Sequence, residues 1–440
     1  MKSSDKFPKL LVISNCCLSN STSNGRTLKN FLIGWPKEKI AQFCIHFEKP
    51  DFSTCDNYYY ISDWDALNAF CFKGSKNGVV SPMEEKNEKT ASRNATITAS
   101  NFDGNKVGRN AFSSYLREIV WSSKRWKGNY FYKWVDNFHP EVILLQAGDS
   151  GFMCKLCFEI SKRYKIPIVV YNSEAYYFKD FDYMKSTGWK KHFYPIFKRR
   201  FRKNFEKLMA KASSAVYCCD MLTEDYRKTF STPGVTIYTA TAVKPCEKSN
   251  IPSHPFKISY LGNLGVGRHT GLIEIAEALQ SISPEFKLDV YGKIPNDTVK
   301  NAFDSCPGIN YNGFVSYEQV KEVMRESDVL VHTENFSDYY RVDLKYAFST
   351  KIADSLASGT CFLLYAPEEI AVSQYLIKNE AAYVVGDKKE LRKTLETLIN
   401  TPDARSIYMA HAKEIVEKNH VADTNSATFQ KILKDTVYGE

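Results

Sequence analysis

No stretch of the 440-residue sequence approaches the roughly 20 consecutive apolar residues that a bilayer-spanning helix needs. The opening run Leu10-Leu11-Val12-Ile13 meets polar residues at once and is too short for the apolar core of a secretory signal. Cysteine is sparse as well. Twelve cysteines in 440 residues are far below the density of a disulfide scaffold. Cys154-Lys-Leu-Cys157 has the spacing of half a zinc site, but no second pair completes it, and buried reduced thiols account better for it and for the adjacent pairs Cys16-Cys17 and Cys218-Cys219. No cluster of metal ligands and no Ser/His/Asp or Cys/His triad is evident. These absences exclude a membrane-spanning chain and a disulfide-stapled secreted domain, and they point to the cytoplasm. The sequons at Asn20 and Asn94 carry no weight there.

What the sequence does contain is ordinary globular composition, 43% hydrophobic and 25% charged, over a length that implies two or three domains. The net charge of +9 is concentrated: from Lys190 to Lys211 there are nine Lys or Arg against one acid, Glu206. A nucleic-acid binder spreads its basic residues over a face, so nucleic acid is not an expected partner. Within this segment Phe193, Phe197, Phe201, Phe205 and Leu208 recur at helical spacing, with Lys198, Arg199, Arg200, Arg202 and Lys203 largely off that stripe. Such a helix suits an anionic membrane surface, or its stripe packs into its own domain and the charges are merely solvated.

The pattern along the chain is α/β. A strand over residues 9–14 is followed by a loop at 20–24, Gly25, and a helix from Arg26. Residues 73–110 are polar and poor in aromatics, and read as a disordered insertion rather than a lid. A helical stretch at 112–134 precedes continuous apolar runs at 141–145 and 167–171, the signature of parallel strands buried on both faces, with a helix at 151–165 between them. Residues 215–219 add a strand. The proline-bearing stretch 243–256 is the expected linker. Beyond it strands are expected at 257–261, 287–291, 328–332 and 361–365, and helices at 271–282, 317–326, 349–357 and 390–400.

Two motifs carry chemistry. In Tyr260-Leu-Gly-Asn-Leu-Gly-Val-Gly-Arg268 a strand enters a turn with Gly262, Asn263 and Gly265, then an arginine. Such a turn before a helix lets backbone approach an anion, and Arg268 could grip a diphosphate with parallel hydrogen bonds; the alternative is a tight turn with a solvated arginine. The glycine spacing is not the dinucleotide fingerprint. In Phe348-Ser-Thr-Lys-Ile-Ala-Asp-Ser-Leu-Ala-Ser-Gly359 a helix start is capped by Ser349 or Thr350. Free amides at Thr350 and Lys351 would form a second anion site, and Asp354 could accept from a vicinal diol such as ribose; taken alone, an ordinary capped helix with a surface aspartate explains it better, but two such sites in one domain favour the ligand.

With these motifs the second half resembles the donor domain of the retaining glycosyltransferases of family 4, of the bacterial surface-polysaccharide type. The resemblance rests on the glycine turn ending in Arg268, on Ile309-Asn-Tyr-Asn-Gly-Phe-Val315 as base-binding stretch, and on the strand Asp328-Val-Leu-Val-His-Thr-Glu334. It rests also on the segment holding two carboxylate positions eight residues apart before Gly359, and on the opening "KLLVISN…SNGRTL". It implies the GT-B fold, two Rossmann-like doubly wound domains facing a central cleft. The domains would be an acceptor domain at 1–242, a donor domain at 257–402, and a C-terminal helix at 403–440 crossing back. Gly262, Asn263, Gly265, Arg268, Gly292, Phe314, Val315, Ser349, Thr350, Lys351 and Asp354 would hold the donor. Asn24, Gly25 and Arg26 would face the acceptor, and Asp149, Glu174 and Arg268 would carry the chemistry. Asp149 reads equally as a helix N-cap. The sequence departs from the family pattern at Tyr346, where the first carboxylate would stand, and at Ile273, where a lysine is usual; Lys351 is a candidate to replace that charge.

The resemblance implies sugar transfer, with retention, from a nucleotide sugar, uridine diphosphate the expected carrier, to a lipid-linked or surface-polysaccharide acceptor. The protein would sit peripherally at the inner face of the cell membrane, and no metal or cofactor would be needed. The rivals are a catalytically inactive subunit of the same fold and, less well supported, a nucleotide-sugar 2-epimerase.

Overall fold

A computed structural model describes residues 7–20, 22–46, 48–80, 109–244 and 255–439. The expected insertion falls mostly on residues 81–108, outside the described residues. The chain divides into two compact units, one of residues 1–237 with 425–440, the other of residues 238–424.

The first unit is built on an eight-stranded sheet among the described residues. Its strands are β1 (Leu10–Ser14), β2 (Ile40–Cys44), β3 (Asn57–Tyr60), β4 (Val79–Val80), β5 (Val142–Ala147), β6 (Ile168–Asn172), β7 (Ser214–Tyr217) and β8 (Gly234–Thr236), in the order β4-β3-β2-β1-β5-β6-β7-β8. All neighbours are parallel except β4, which runs antiparallel to β3. β1, β2, β5 and β6 are buried along their whole length, which is why β1, β5 and β6 begin as apolar runs without alternation, while β2 carries a buried Gln42. Helices α1 (Ser23–Phe31), α2 (Asp63–Phe70), α3 (Ala111–Ser122), α4 (Gly128–Phe138), α5 (Gly151–Tyr164), α6 (Tyr194–Met209) and α7 (Asp220–Thr229) supply the crossovers. Capping boxes at Ser62/Asp65 and Asn110/Ser113 start α2 and α3. An aromatic cluster of Phe43, Trp121, Trp126 and Phe131 fills the space beneath α3 and α4, with ring centroids 5.1–6.4 Å apart.

The second unit repeats the design with a wholly parallel sheet of β9 (Ile258–Leu261), β10 (Leu288–Tyr291), β11 (Ile309–Tyr311), β12 (Val329–Thr333), β13 (Cys361–Tyr365) and β14 (Tyr383–Val385), ordered β11-β10-β9-β12-β13-β14. Counted from β9 this is the Rossmann order 3-2-1-4-5-6, whose ligands sit beyond the carboxyl ends of the strands where the order reverses, between β9 and β12. Its helices are α8 (Arg268–Ile282), α9 (Asp297–Asp304), α10 (Tyr317–Glu326), α11 (Asp338–Asp343), α12 (Thr350–Ala357), α13 (Ala371–Lys378), α14 (Lys388–Asn400) and α15 (Pro402–Asn419), and α16 (Ala422–Tyr438) carries the chain back into the first unit.

Several expectations shift. The helical stretch at 112–134 is two helices, because residues 123–127 break it. Helix α1 begins at Ser23, its amide at Gly25 capped by Thr22 Oγ1 at 3.1 Å, so Asn24, Gly25 and Arg26 lie inside a helix rather than on a loop. Part of the expected insertion is β4. The units part at Ile237/Tyr238 rather than after 242, since Tyr238 packs on Tyr375 with centroids 4.5 Å apart. Helix α15 belongs to the second unit, where buried Arg405 donates to Leu398 O at 2.5 Å, so the return begins at Asn425 rather than 403.

The returning helix is part of the first unit's core. Phe429 is fully buried and stacks on Phe31 with centroids 4.3 Å apart, and Gln430 Nε2 donates to Ile33 O at 2.7 Å. Phe429→Ala is expected to cost the first unit about 3–5 kcal/mol, the usual loss for a buried phenylalanine. Equilibrium urea unfolding measures it, and a loss below about 1 kcal/mol would place α16 outside the core.

Candidate functional site

At the switch point of the second sheet the chain leaves β9 into the glycine turn. Gly262 N donates to Tyr291 O (2.9 Å), Tyr260 Oη to Asn263 O (2.8 Å) and Gly265 N to Asn263 Oδ1 (2.9 Å). Val266 and Gly267 both take left-handed backbone, at φ 54° and 74°. A side chain on Gly267 would put its Cβ 2.3 Å from Asn335 Nδ2, so glycine is needed there for space as well as for conformation. The helix then starts at Arg268 itself, three residues earlier than expected at Gly271.

Arg268 is not a solvated arginine. Its Nε and Nη2 form a two-pronged pair with Glu334 Oε2 (2.9 Å) and Oε1 (2.7 Å), and both side chains are largely buried. Glu334 Oε1 also lies 3.0 Å from His332 Nε2. Burial alone would raise the Glu334 carboxyl, but the bonds from His332 and Arg268 prevail and hold it below its usual range. Burial lowers His332, outweighing the opposing pull of Glu334, so the imidazole is neutral and carries its proton on Nε2, the only way it can donate to a carboxylate. The clamp engages the Nε/Nη2 edge of the guanidinium, while Nη1 makes a long contact of 3.4 Å to Asn263 O.

Lys351, in the first turn of α12, stands near enough to be depressed by Arg268; burial and that repulsion together bring its ammonium down to about 8, against an opposing pull from Asp354. Ser349 is the cap, and its Oγ faces the Lys351 amide at 3.4 Å, so that amide is not the free anion donor expected from the sequence. On the far side of β9, Gly262, Gly292 and Gly313 meet at the ends of three strands: Gly292 N donates to Gly313 O at 2.8 Å, and a Cβ on Gly292 would lie 2.0 Å from Gly262 O. The next residue, Phe314, is 80% exposed, with Val315 half-buried beside it. Asp354 Oδ1 accepts from Thr241 Oγ1 (2.8 Å) and Ala242 N (3.1 Å). Tyr346, at the first-carboxylate position, accepts a hydrogen bond from Lys345 Nζ (2.9 Å).

The switch point of the first sheet lies between β1 and β5, and Asp149 follows β5 there. It is buried and does not cap α5, whose N-cap is Ser150. Instead its Oδ2 is bonded by Arg109 and by Tyr183 Oη (2.5 Å). Glu174 is exposed, 3.6 Å from Lys179 Nζ. In α1, Gly25 is buried against Cys17 O, while Asn24 and Arg26 are exposed. Two buried acids have no role assigned by the sequence pattern, although the first ends the strand motif Asp328–Glu334. One is Glu334. The other is Glu118, buried in α3 beside Gly151, whose carboxyl burial raises to about 7.

Set beside known proteins, residues 268–431 match the profile of the family described as "Glycosyl transferase-like". Among curated proteins none matches the sequence. Solved structures do. HepE of Anabaena, seen in complex with UDP and glucose, superposes with a TM-score of 0.57 at 10% identity, covering 97% of this chain and 99% of that one. The sucrose-phosphate synthase of Thermosynechococcus elongatus gives 0.61 at 10% identity over 98% and 100%, and a glycosyltransferase of Rickettsia africae 0.58 at 11% over 98% and 100%. The fold is GT-B.

Within that fold the basic segment is resolved in detail. The stripe of Phe197, Phe201, Phe205 and Leu208 is buried in the first unit and so presents no apolar face to a membrane. Lys198 is buried too, donating to Tyr176 O (2.6 Å) and Tyr177 O (2.9 Å), and Arg202 donates to Tyr177 O and pairs with Asp180 at 2.6 Å. These two charges fasten the loop after β6. The solvent-facing row is Ile196, Arg199, Lys203 and Lys207, with Trp189 58% exposed nearby in sequence. No helix among the described residues is long and apolar enough to cross a membrane.

The position of Lys351 gives a pH signature. An ammonium held near 8 is charged below that pH; an anion placed beside Arg268 would raise it again, so binding takes up protons above pH 8. With UDP as a diphosphate probe of the Arg268–Lys351 pair, affinity is expected to fall as pH rises from 7.5 to 9, by up to about tenfold per unit. The slope should vanish in Lys351→Met measured by calorimetry with the same ligand; an equal slope in both proteins would remove Lys351 from the site.

Proposed function

We propose that this chain is a glycosyltransferase taking its sugar from a UDP-sugar and passing it, with retention, to a lipid-linked or surface-polysaccharide acceptor. The observation that carries the reading is the Glu334 clamp, which fixes Arg268 side-on at the switch point beside Lys351. A guanidinium held at one edge and a nearby ammonium suit a diphosphate. Phe314 and Val315 would take the base and Asp354 the ribose. The structures of HepE with UDP and with UDP and glucose support this donor class.

In the reaction the bond from the anomeric carbon to the diphosphate oxygen breaks and a bond to the acceptor oxygen forms on the same face. The acceptor proton passes to an oxygen of the leaving diphosphate, whose charge Arg268 and Lys351 neutralise, so the reading calls on no metal or cofactor and on no protein nucleophile. Asp149, held by Arg109 and Tyr183, and Glu174 would orient the acceptor hydroxyl. A second reading, a non-catalytic subunit of the same fold, is favoured by Tyr346, whose hydroxyl bound by Lys345 stands where a sugar-contacting carboxylate is expected.

Phe314→Ala tests the donor reading without touching the core. Loss of one stacked base costs about 1–3 kcal/mol, so UDP affinity by calorimetry should fall roughly 5- to 150-fold at an unchanged thermal midpoint. Unaltered affinity would remove Phe314 from the base site. UDP release from a panel of UDP-sugars with membrane extract as acceptor source separates the two readings: turnover identifies the enzyme, and binding without turnover the subunit.

Peripheral contact with an anionic inner membrane face, in this reading, rests on the exposed cations and not on the buried stripe. Each such charge contributes about 1 kcal/mol near an anionic surface. Changing Lys191, Arg199, Lys203 and Lys207 to Gln, with Lys198 and Arg202 kept, should release the protein from phosphatidylserine vesicles. Sedimentation equal to the wild type would show a merely solvated face.

A further inference from the structure

In the proposed donor complex the ribose diol falls to Asp354, and a role for the neighbours of Asp354 in nucleoside binding rests on that reading. Within the second unit its Oδ1 already receives two donors, the Thr241 hydroxyl at 2.8 Å and the Ala242 amide at 3.1 Å. An oxygen with two lone pairs is saturated by two donors. Two adjacent donors converging on one carboxylate are also what a vicinal diol offers. We infer that the strap Thr241–Ala242 is an internal stand-in for the ribose diol on Oδ1, and that it must leave this oxygen for a ribose hydroxyl of the donor nucleoside to bind there.

The strap has a firm upstream side. Upstream it is anchored: Thr239 O faces His420 Nδ1 at 2.8 Å, Thr241 N donates to His420 O at 2.9 Å, and His420 Nε2 lies 2.9 Å from Tyr375 Oη. Tyr238 stacks among Tyr375, Phe348 and His420, and His420 itself is fully buried. Downstream of Thr241 the chain comes to the surface. Ala242 is exposed, and Thr241 Oγ1 also accepts from Val243 N at 2.9 Å, a local turn that can turn away with its residues. The residue at 354 is an aspartate, one methylene shorter than the glutamate of the pattern it resembles. Its carboxylate thus stays close to α12, where the strap reaches it. Displacing these two bonds, one part-buried and one exposed, is offset by the hydroxyls that replace them on the same carboxylate oxygen.

The test uses UDP and 2′,3′-dideoxy-UDP as probes on the full chain. Thr241→Val keeps the β-branched shape and deletes the hydroxyl. It should bind UDP about 3- to 10-fold more tightly than the wild type, the scale of one net hydrogen bond, and bind the dideoxy analogue no more tightly. In the wild type UDP, but not the dideoxy analogue, should speed hydrogen exchange at the Ala242 amide. UDP affinity that is unchanged or weaker in Thr241→Val, or an Ala242 amide slowed or unmoved by UDP, overturns the strap while leaving the donor reading intact. If Thr241→Val proves unfolded, the exchange measurement on the wild type decides alone. Failure of UDP to bind the wild type would overturn the donor reading and the strap with it.

Discussion

The second unit's switch point depends on one buried ion pair, Arg268 with Glu334. Neither charge could sit there alone, since an unpaired ion taken out of water costs several kcal/mol. The pair is completed by His332, which uses burial to remain neutral and its Nε2 proton to bind the carboxylate. With Glu334 ionised and bonded by both neighbours, the guanidinium has one orientation. That orientation in turn requires the tight turn before α8, where Gly267 leaves room for Asn335 and Asn335 Nδ2 binds Gly267 O at 3.0 Å. The glycine turn, the strand end bearing Glu334 and the start of α8 are therefore one structural unit. Removing Arg268 would do more than delete a ligand contact, because it would leave Glu334 buried with only a neutral partner.

The first unit solves a similar problem with different residues. Asp149 also follows a fully buried strand at a reversal of strand order, and it too is matched by an arginine and a neutral donor, Arg109 and Tyr183. The parallel sheet explains the recurrence: strand ends collect polar side chains at a place where backbone groups lack ladder partners. Each carboxylate placed there must be bonded by its own neighbours or by a ligand.

The sequence made the architecture legible where both faces of a strand are buried. The runs at β1, β5, β6, β12 and β13 are apolar without alternation, and they were placed within about two residues. Strands β2 and β3 were missed because Gln42 and a string of tyrosines break the apolar signal, although Gln42 is buried and bonded to Leu18 N at 2.7 Å. Short β8, β11 and β14 left too little pattern. The aromatic periodicity of α6 was readable, but the fate of its charges was not. The backbone carbonyls that bind Lys198 lie 21 and 22 residues away, and a carbonyl leaves no mark in a sequence. The same holds at the site: Arg268 was visible through its glycines, whereas Glu334, 66 residues downstream, becomes its partner only when β9 and β12 lie side by side.

Asp354 and Arg268 then share a property. Each group that the proposed reading offers to a donor is engaged, in the protein alone, by a group of like chemistry: a carboxylate on the guanidinium, and a hydroxyl with an amide on the carboxylate. The two engagements differ in depth. Glu334 is nine-tenths buried and doubly bonded, so it positions the arginine and stays. The strap is exposed at Ala242 and, among the described residues, its backbone is bonded at Thr239 and Thr241 to His420, so it is the engagement that a ligand can replace. Affinity for a nucleotide measured on this protein is therefore a difference between ligand contacts and internal ones. A substitution that loosens the strap can raise it without adding any contact to the ligand.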